Sequence, residues 1–244
     1  MRRPVVYFQN DGRWKNMSYS AKGENTTIGR AGCGITCMAM VIASLADKNV
    51  TPVDTCKWSL EHGYKALHQG TYYTYFVPQG KVYGIKITRL NTSNIYKSTT
   101  KSAEGIRNKA IEELKNGNWI IACMGQGTWT SSGHYVLCYG VNGNVIYIND
   151  PASTKPNRVN GNLNTWKEEV KYLWKVEVIK PEKKEEDDEV VDKTKILVNG
   201  KTVTVERILK DGVNYIRLRD IDEKMGICTV DYDEEKKLPV VNSK

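Results

Sequence analysis

Residues 32–46 read GCGITCMAMVIASLA, and this stretch decides the first element of the fold. Cys37, Met40, Val41 and Leu45 recur at helical spacing, which predicts a helix with one apolar stripe, entered through Gly32–Cys33–Gly34. Working outward, SAEGIRNKAIEELKNG (102–117) predicts a second helix with Ile106, Ala110, Ile111 and Leu114 on one face and Gly117 as its stop. The character then changes. NWIIACMG (118–125), HYVLCYGV (134–141), NVIYIND (144–150) and KYLWKVEVIK (171–180) are short β-branched and aromatic runs divided by Gly, Asn and Pro. Helices first and an antiparallel sheet later make an α+β domain.

That domain is expected to fill residues 1–180. The stretch KPEKKEEDDEVVDKTK (180–195) holds too little apolar surface to fold, so 181–195 is expected to be a charged flexible linker. Residues 196–244 then form a small β-rich module, with turn pairs at Asn199–Gly200 and Asp211–Gly212 and a short helix capped by Asp220 and ended by Gly226.

Composition narrows the function classes. At 244 residues and 27.6 kDa, with 40% hydrophobic residues, the chain can bury a real core. No run approaches the ~18 apolar residues of a membrane span, so stable membrane insertion is not expected. The opening MRRPVVYFQNDGRW has two arginines but no apolar run behind them, unlike a secretory signal. Residues 1–180 hold 23 Lys/Arg against 12 Asp/Glu, a net +11, which suits an anionic partner. The basic residues are scattered, with no clustered tract, which argues against nucleic acid. The six cysteines form neither a disulfide framework nor a zinc pattern, so no metal or cofactor is expected.

A nucleophilic cysteine must be a thiolate near neutral pH, and a helix N-terminus beside an imidazolium lowers its pKa. Cys33 fits, between two glycines that would let a substrate backbone approach, Gly32 among them. Cys37, one turn deeper, and the remaining cysteines read as buried thiols. Of the three histidines, His62 and His68 flank a polar stretch and are expected to be exposed, whereas His134 opens a strand and precedes Asp150 by 16 residues. A hairpin turning near Asn142–Gly143 would bring His134 and Asp150 together as a base and its orienting carboxylate. A three-residue loop, Val141–Asn142–Gly143, gives the even register that sets them directly opposite one another; a tight turn at Asn142–Gly143 would separate them. Trp14, Trp129 and the run TYYTYF (71–76) are candidates to line a substrate groove.

Taken together, GRAGCGITCMAMVIASL, SGHYVLCYG and VIYINDP resemble the papain-like cysteine peptidases of the bacteriocin-leader-peptidase type, family 39, and YFQNDGRWKNMSYS resembles the start of that domain in bacterial and phage wall-lytic members. The resemblance covers about residues 5–178. It implies Cys33 as nucleophile, His134 as general base and acid, and Asp150 as orienter. The family pattern places an oxyanion-binding glutamine about six residues before the cysteine; NTTIGRAG has none there, and Gln9 is named in its place. The tail resembles small β-rich modules of clostridial and phage lytic enzymes, implying wall attachment or self-association. The expected activity is that of a phage-type endolysin: a hydrolase of peptidoglycan amide or peptide bonds, made in the host cytoplasm and acting on the wall after release. A peptidase that processes a polypeptide leader, and a non-catalytic wall-binding protein on the same fold, are the alternatives.

Overall fold

The computed structural model describes residues 2–178, 192–198, 200–210, 213–216, 220–233 and 238–243. They fall into two compact units, Met1–Lys180 and Pro181–Lys244. In the first unit, α1 (Ile28–Ala31) runs through Gly32 into α2 (Cys33–Leu45), followed by α3 (Pro52–Glu61), α4 (Phe76–Val82), strand β1 (Ile87–Arg89) and α5 (Lys101–Lys115). Then come β2 (Trp119–Met124), β3 (His134–Asn142), β4 (Val145–Asn149), α6 (Pro156–Val159), β5 (Asn160–Asn162), α7 (Leu163–Glu169) and β6 (Val170–Val176). The six strands form one sheet in the order β1-β6-β2-β3-β4-β5, with every neighbouring pair antiparallel.

Both faces of this sheet are covered, and the alternation of residues shows how. Trp119, Ile121, Cys123, Tyr135, Leu137 and Trp174 pack with α2 in one core, while Ile120, Ala122, Met124, Val136, Cys138 and Leu173 pack with α5 in another. This is why WIIACM is apolar at every position. The expected single stripe on α2 is corrected by the structure: Gly34–Ala43 are buried without interruption, because sheet, α3 and α4 surround the helix. On α5 the buried face is Ala103, Arg107, Ala110, Ile111 and Leu114, with Ile106 at its margin, and Gly117 ends it at φ +87°.

The signal for α3 lies in TPVD: Thr51 accepts from Val53 N–H, Asp54 reaches back to the Thr51 N–H, and Pro52 takes the first helical position. Strand β1, the edge partner of β6, precedes α5, so helices and strands are less segregated than the sequence suggests.

In the second unit, β7 (Asp192–Val198), β8 (Lys201–Lys210) and β9 (Val213–Ile216) form one antiparallel sheet, and β10 (Cys228–Asp233) pairs with β11 (Leu238–Ser243). Residues 179–191 lie outside the described residues, as does the pair Asp211–Gly212. The strand begins at Asp192, so the last four residues assigned to the linker, 192–195, belong to β7, where they pair with residues 204–207 of β8. Asp220 precedes a short π-type turn, Ile221–Met225, but its carboxylate does not cap it. It accepts instead from Glu206 N–H and Lys224 Nζ. Gly226 does end the turn, at φ +66°.

Candidate active site

Cys33 holds the first position of α2, where free N–H groups and the positive end of the helix dipole favour a thiolate. The backbone reaches that position through Gly32, whose N–H closes α1 on Ile28 O at 2.8 Å. A side chain at Gly32 would clash with Ile28 O, and one at Gly34 would meet Thr71 Oγ1 at 2.7 Å and Tyr135 Cδ2 at 3.1 Å. Both glycines are therefore required by packing inside the protein. Gly32 does not line the cavity beside Cys33, which corrects its reading as a substrate contact.

His134 opens β3, and its Nε2 lies 2.8 Å from Asp150 Oδ1. Its other ring nitrogen is left for the Cys33 thiol, which lines the same cavity and whose titration is coupled to that of His134. Burial pushes the Cys33 thiol up, but the bond to His134, its positive charge and the N–H groups of Tyr135 and Gly34 together bring it below the ordinary thiol value. Burial likewise disfavours the imidazolium, yet the bonds to Asp150 and Cys33 raise His134 to about 9. The two shifts run in the directions that a thiolate–imidazolium pair requires.

The hairpin brings His134 and Asp150 together by a route the sequence reading did not anticipate. Asn142 pairs with Val145, so the turn is a tight two-residue one, Gly143–Asn144, with Gly143 at φ +54°, and the three-residue loop expected here does not form. The partner numbers near the turn sum to an odd 287. Between Cys138 and Gly140 the register shifts, leaving Tyr139 as an extra residue, and Leu137 pairs with Asn149 in an even register. Continued to the open end, that register sets Asp150 opposite Val136. His134 and Asp150 are thus diagonal neighbours on one face rather than directly opposed.

Asp150 is buried and fully engaged. Oδ1 accepts from His134 and from Ala152 N–H, while Oδ2 accepts from Arg158 Nε at 2.7 Å and pairs with its Nη2 at 2.6 Å. Arg158 was not singled out in the sequence. Its one available signal is a basic residue eight positions after an aspartate at a strand end, on a turn begun by Pro156. The Arg158 carbonyl also accepts from Trp129 Nε1 at 2.9 Å, so α6 ties together Asp150 and the loop that leads into His134.

That bond answers the expectation for Trp129. The ring is buried in the core with Cζ2 against Gly161, and it does not line the cavity. Trp14 is also a core residue, its Nε1 donating to Phe8 O and its ring edge-on to Tyr7. An indole N–H that finds an internal acceptor lets the ring bury completely. The run TYYTYF divides: Thr71, Tyr72 and Tyr73 line the cavity, while Tyr75 and Phe76 are core. Tyr19 Oη and Tyr135 Oη, bonded to Thr71 Oγ1 and Thr71 O, hold that wall in place. Gln9 lies close to this chemistry but not on the cavity wall: its N–H donates to Pro151 O, and its amide donates to Gly29 O at 2.8 Å.

Cys33 and His134 face a cavity of about 850 Å³. Of the other thiols, burial raises Cys37 far above the ordinary value and both Cys56 and Cys123 to about 12, so these remain protonated at neutral pH. His62 and His68 are exposed, and His68 stands at the cavity rim. Among the described residues, no cluster of His, Cys, Asp or Glu could hold a metal ion, and no helix is long and apolar enough to cross a membrane. A family model described as the Peptidase_C39 like family matches residues 5–177, and no curated protein matches the chain.

Proposed function

Because the chain belongs to the Peptidase_C39 like family, and is on that ground a papain-like cysteine peptidase, we propose that Cys33, His134 and Asp150 carry its chemistry and that it hydrolyses a peptide or amide bond of the bacterial cell wall. The observation that carries the assignment is that Cys33, at the start of α2, and His134, bonded through Nε2 to the buried Asp150, line one cavity. In this reading the Cys33 thiolate attacks the scissile carbonyl carbon. The carbonyl oxygen becomes an oxyanion facing the backbone N–H of Cys33 at the start of α2. His134 gives its proton to the departing amine, leaving a thioester on Cys33. It then takes a proton from water as that water attacks the thioester, which regenerates the thiol. Asp150, fixed from behind by Arg158, keeps the imidazole oriented and stabilises its charged form.

The wall as substrate is supported by the net +11 of residues 1–180, which suits an anionic polymer, and by the small β-rich second unit. In this reading the second unit holds the enzyme at the wall, and the enzyme is of the endolysin kind. Made in the bacterial cytoplasm, it keeps its thiol reduced until release. Digestion of purified cell walls by the full chain, with soluble fragments identified by mass spectrometry, tests this. Fragments with a new amine or carboxyl end, absent when Cys33→Ala is used, are expected. Cys33-dependent cleavage of proteins with intact walls would move the assignment to a polypeptide-processing peptidase.

A further inference from the structure

The cavity beside Cys33 has an uneven charge balance. Glu24 is its one acidic lining residue among the described residues, and it is already neutralised: Oε1 accepts from the buried Lys65 Nζ and from Ala21 N–H, and Oε2 from His68 N–H. Asp150 is likewise engaged by His134 and Arg158. The Cys33–His134 pair has no net charge when both are ionised. Two lining cations remain, Arg30 and Lys171, and neither forms an ion pair among the described residues.

Both are placed by the backbone near the reacting atoms. Arg30 sits in α1, three residues before Cys33. Lys171 owes its position to an irregularity in the sheet: Met124 pairs with Val170 and Cys123 with Tyr172, so Lys171 is an extra residue in β6. Met124 also pairs with His134 on its other side, which puts this bulge at the sheet end that holds the histidine. A bulge re-aims a side chain that regular alternation would send elsewhere. Here the re-aimed side chain is a lysine at the cavity wall.

We propose that Arg30 and Lys171 select substrates that carry a carboxylate close to the scissile bond. The inference rests on the hydrolase reading of Cys33 and narrows it to acidic peptides. A carboxylate can come from an acidic side chain or from a free peptide end, and the wall's short peptides are one class that would satisfy it. An ammonium and a guanidinium offered to such a group replace its lost hydration with charge-assisted hydrogen bonds, whereas a carboxamide gains far less.

The test uses the full chain and a library of short peptides in matched sets: acidic side chain against its amide, and free C-terminus against amidated C-terminus. Cleavage is read by mass spectrometry as the ratio of kcat/KM within each set, which cancels any loss of folded protein. A preference of about tenfold for one or both carboxylate forms is expected, and which set shows it identifies the source of the charge. Arg30→Gln with Lys171→Gln is expected to bring the ratio toward one. Lys48→Gln with Lys81→Gln removes the same net charge from exposed positions away from the cavity and is expected to leave the ratio unchanged. Equal cleavage of both forms by the natural chain, or a ratio that survives Arg30→Gln with Lys171→Gln, would overturn the proposal while leaving the hydrolase reading intact. Affinity selection of the same library on Cys33→Ala separates the two readings. Enrichment of carboxylate forms without any cleavage by the natural chain would support the charge reading and contradict the hydrolase one. No enrichment would overturn the charge reading whatever the turnover.

Discussion

Arg158 is the residue through which the orientation of the site is best probed without touching the reacting atoms. Its guanidinium holds one oxygen of Asp150 and leaves the other to His134, while its carbonyl holds Trp129. Arg158→Met leaves that carbonyl in place and frees the carboxylate to turn. Because a misplacement of about 1 Å can cost on the order of 10²-fold, kcat is expected to fall roughly 10- to 100-fold, with KM for a short peptide nearly unchanged. A fall confined to KM would show that Arg158 binds substrate instead. The same site sets a pH window. Cys33 is lowered and His134 raised to about 9, so the charged pair forms as pH climbs through the thiol's lowered value and is lost above about 9, when the imidazolium gives up its proton. The histidine's share of stability is fully present below the ordinary imidazole value and lost as pH rises through about 9, whereas the thiolate's share is present above the ordinary thiol value and lost as pH falls through its lowered one. Activity is expected to decline above pH 9, and a basic limb near 6.5 would contradict the pairing. The proposed reacting residues could be picked out in the sequence because a thiolate, a base and a carboxylate allow few residue types, and only one of three histidines opens a strand. Arg158 could not, since an arginine in a polar turn has no pattern of its own. Trp14 and Trp129 were misread because sequence does not show whether an indole N–H has an internal acceptor.

At the scale of elements, α2 depends on a close approach. Gly32→Ala would force a methyl group against the Ile28 carbonyl, and the backbone joining α1 to α2 would have to shift. Such overpacking costs about 1–3 kcal/mol, so a lowered Tm and a loss of activity larger than the loss of folded protein are expected, because Cys33 is the next residue. Retention of full activity would show that the junction tolerates the shift. The hairpin gives a sharper case. Cys138 already opposes Ile148 and Gly140 already opposes Tyr147, so deleting Tyr139 should restore a regular ladder and keep His134 beside Asp150. Activity that survives this deletion is expected; its abolition in a protein that still folds would show that the bulge itself positions the histidine. The helix and strand runs were legible from periodicity. The tight turn and its compensating bulge were not, because a one-residue irregularity inside a β-branched run leaves no signature, and the same holds for the extra residue at Lys171. The continuous burial of α2 could only be known once the sheet and two further helices were seen to surround it.

Over the whole molecule, the boundary near Lys180 was legible as a change of composition, from a sequence with two apolar cores to one dominated by charge. Proteolysis of the full chain is expected to release a fragment ending near residue 180 that retains Cys33-dependent hydrolysis and binds purified walls less tightly than the whole chain. Equal binding by the fragment would contradict the targeting role proposed for residues 196–244. The assignment of the nucleophile can be read directly, because six free cysteines compete within one chain. Cys33 is partly exposed at a cavity, while the other five are buried. The decisive measurement is the rate of alkylation of each cysteine by iodoacetamide in the folded chain, resolved by peptide mass spectrometry between pH 5 and 10. Cys33 is predicted to react first, at a rate already substantial near neutral pH and much reduced at that pH by His134→Ala. Modification of another cysteine before Cys33, or a Cys33 rate that rises only near the ordinary thiol pKa of about 8.5 and ignores His134, would contradict the thiolate–imidazolium pair on which the whole account rests.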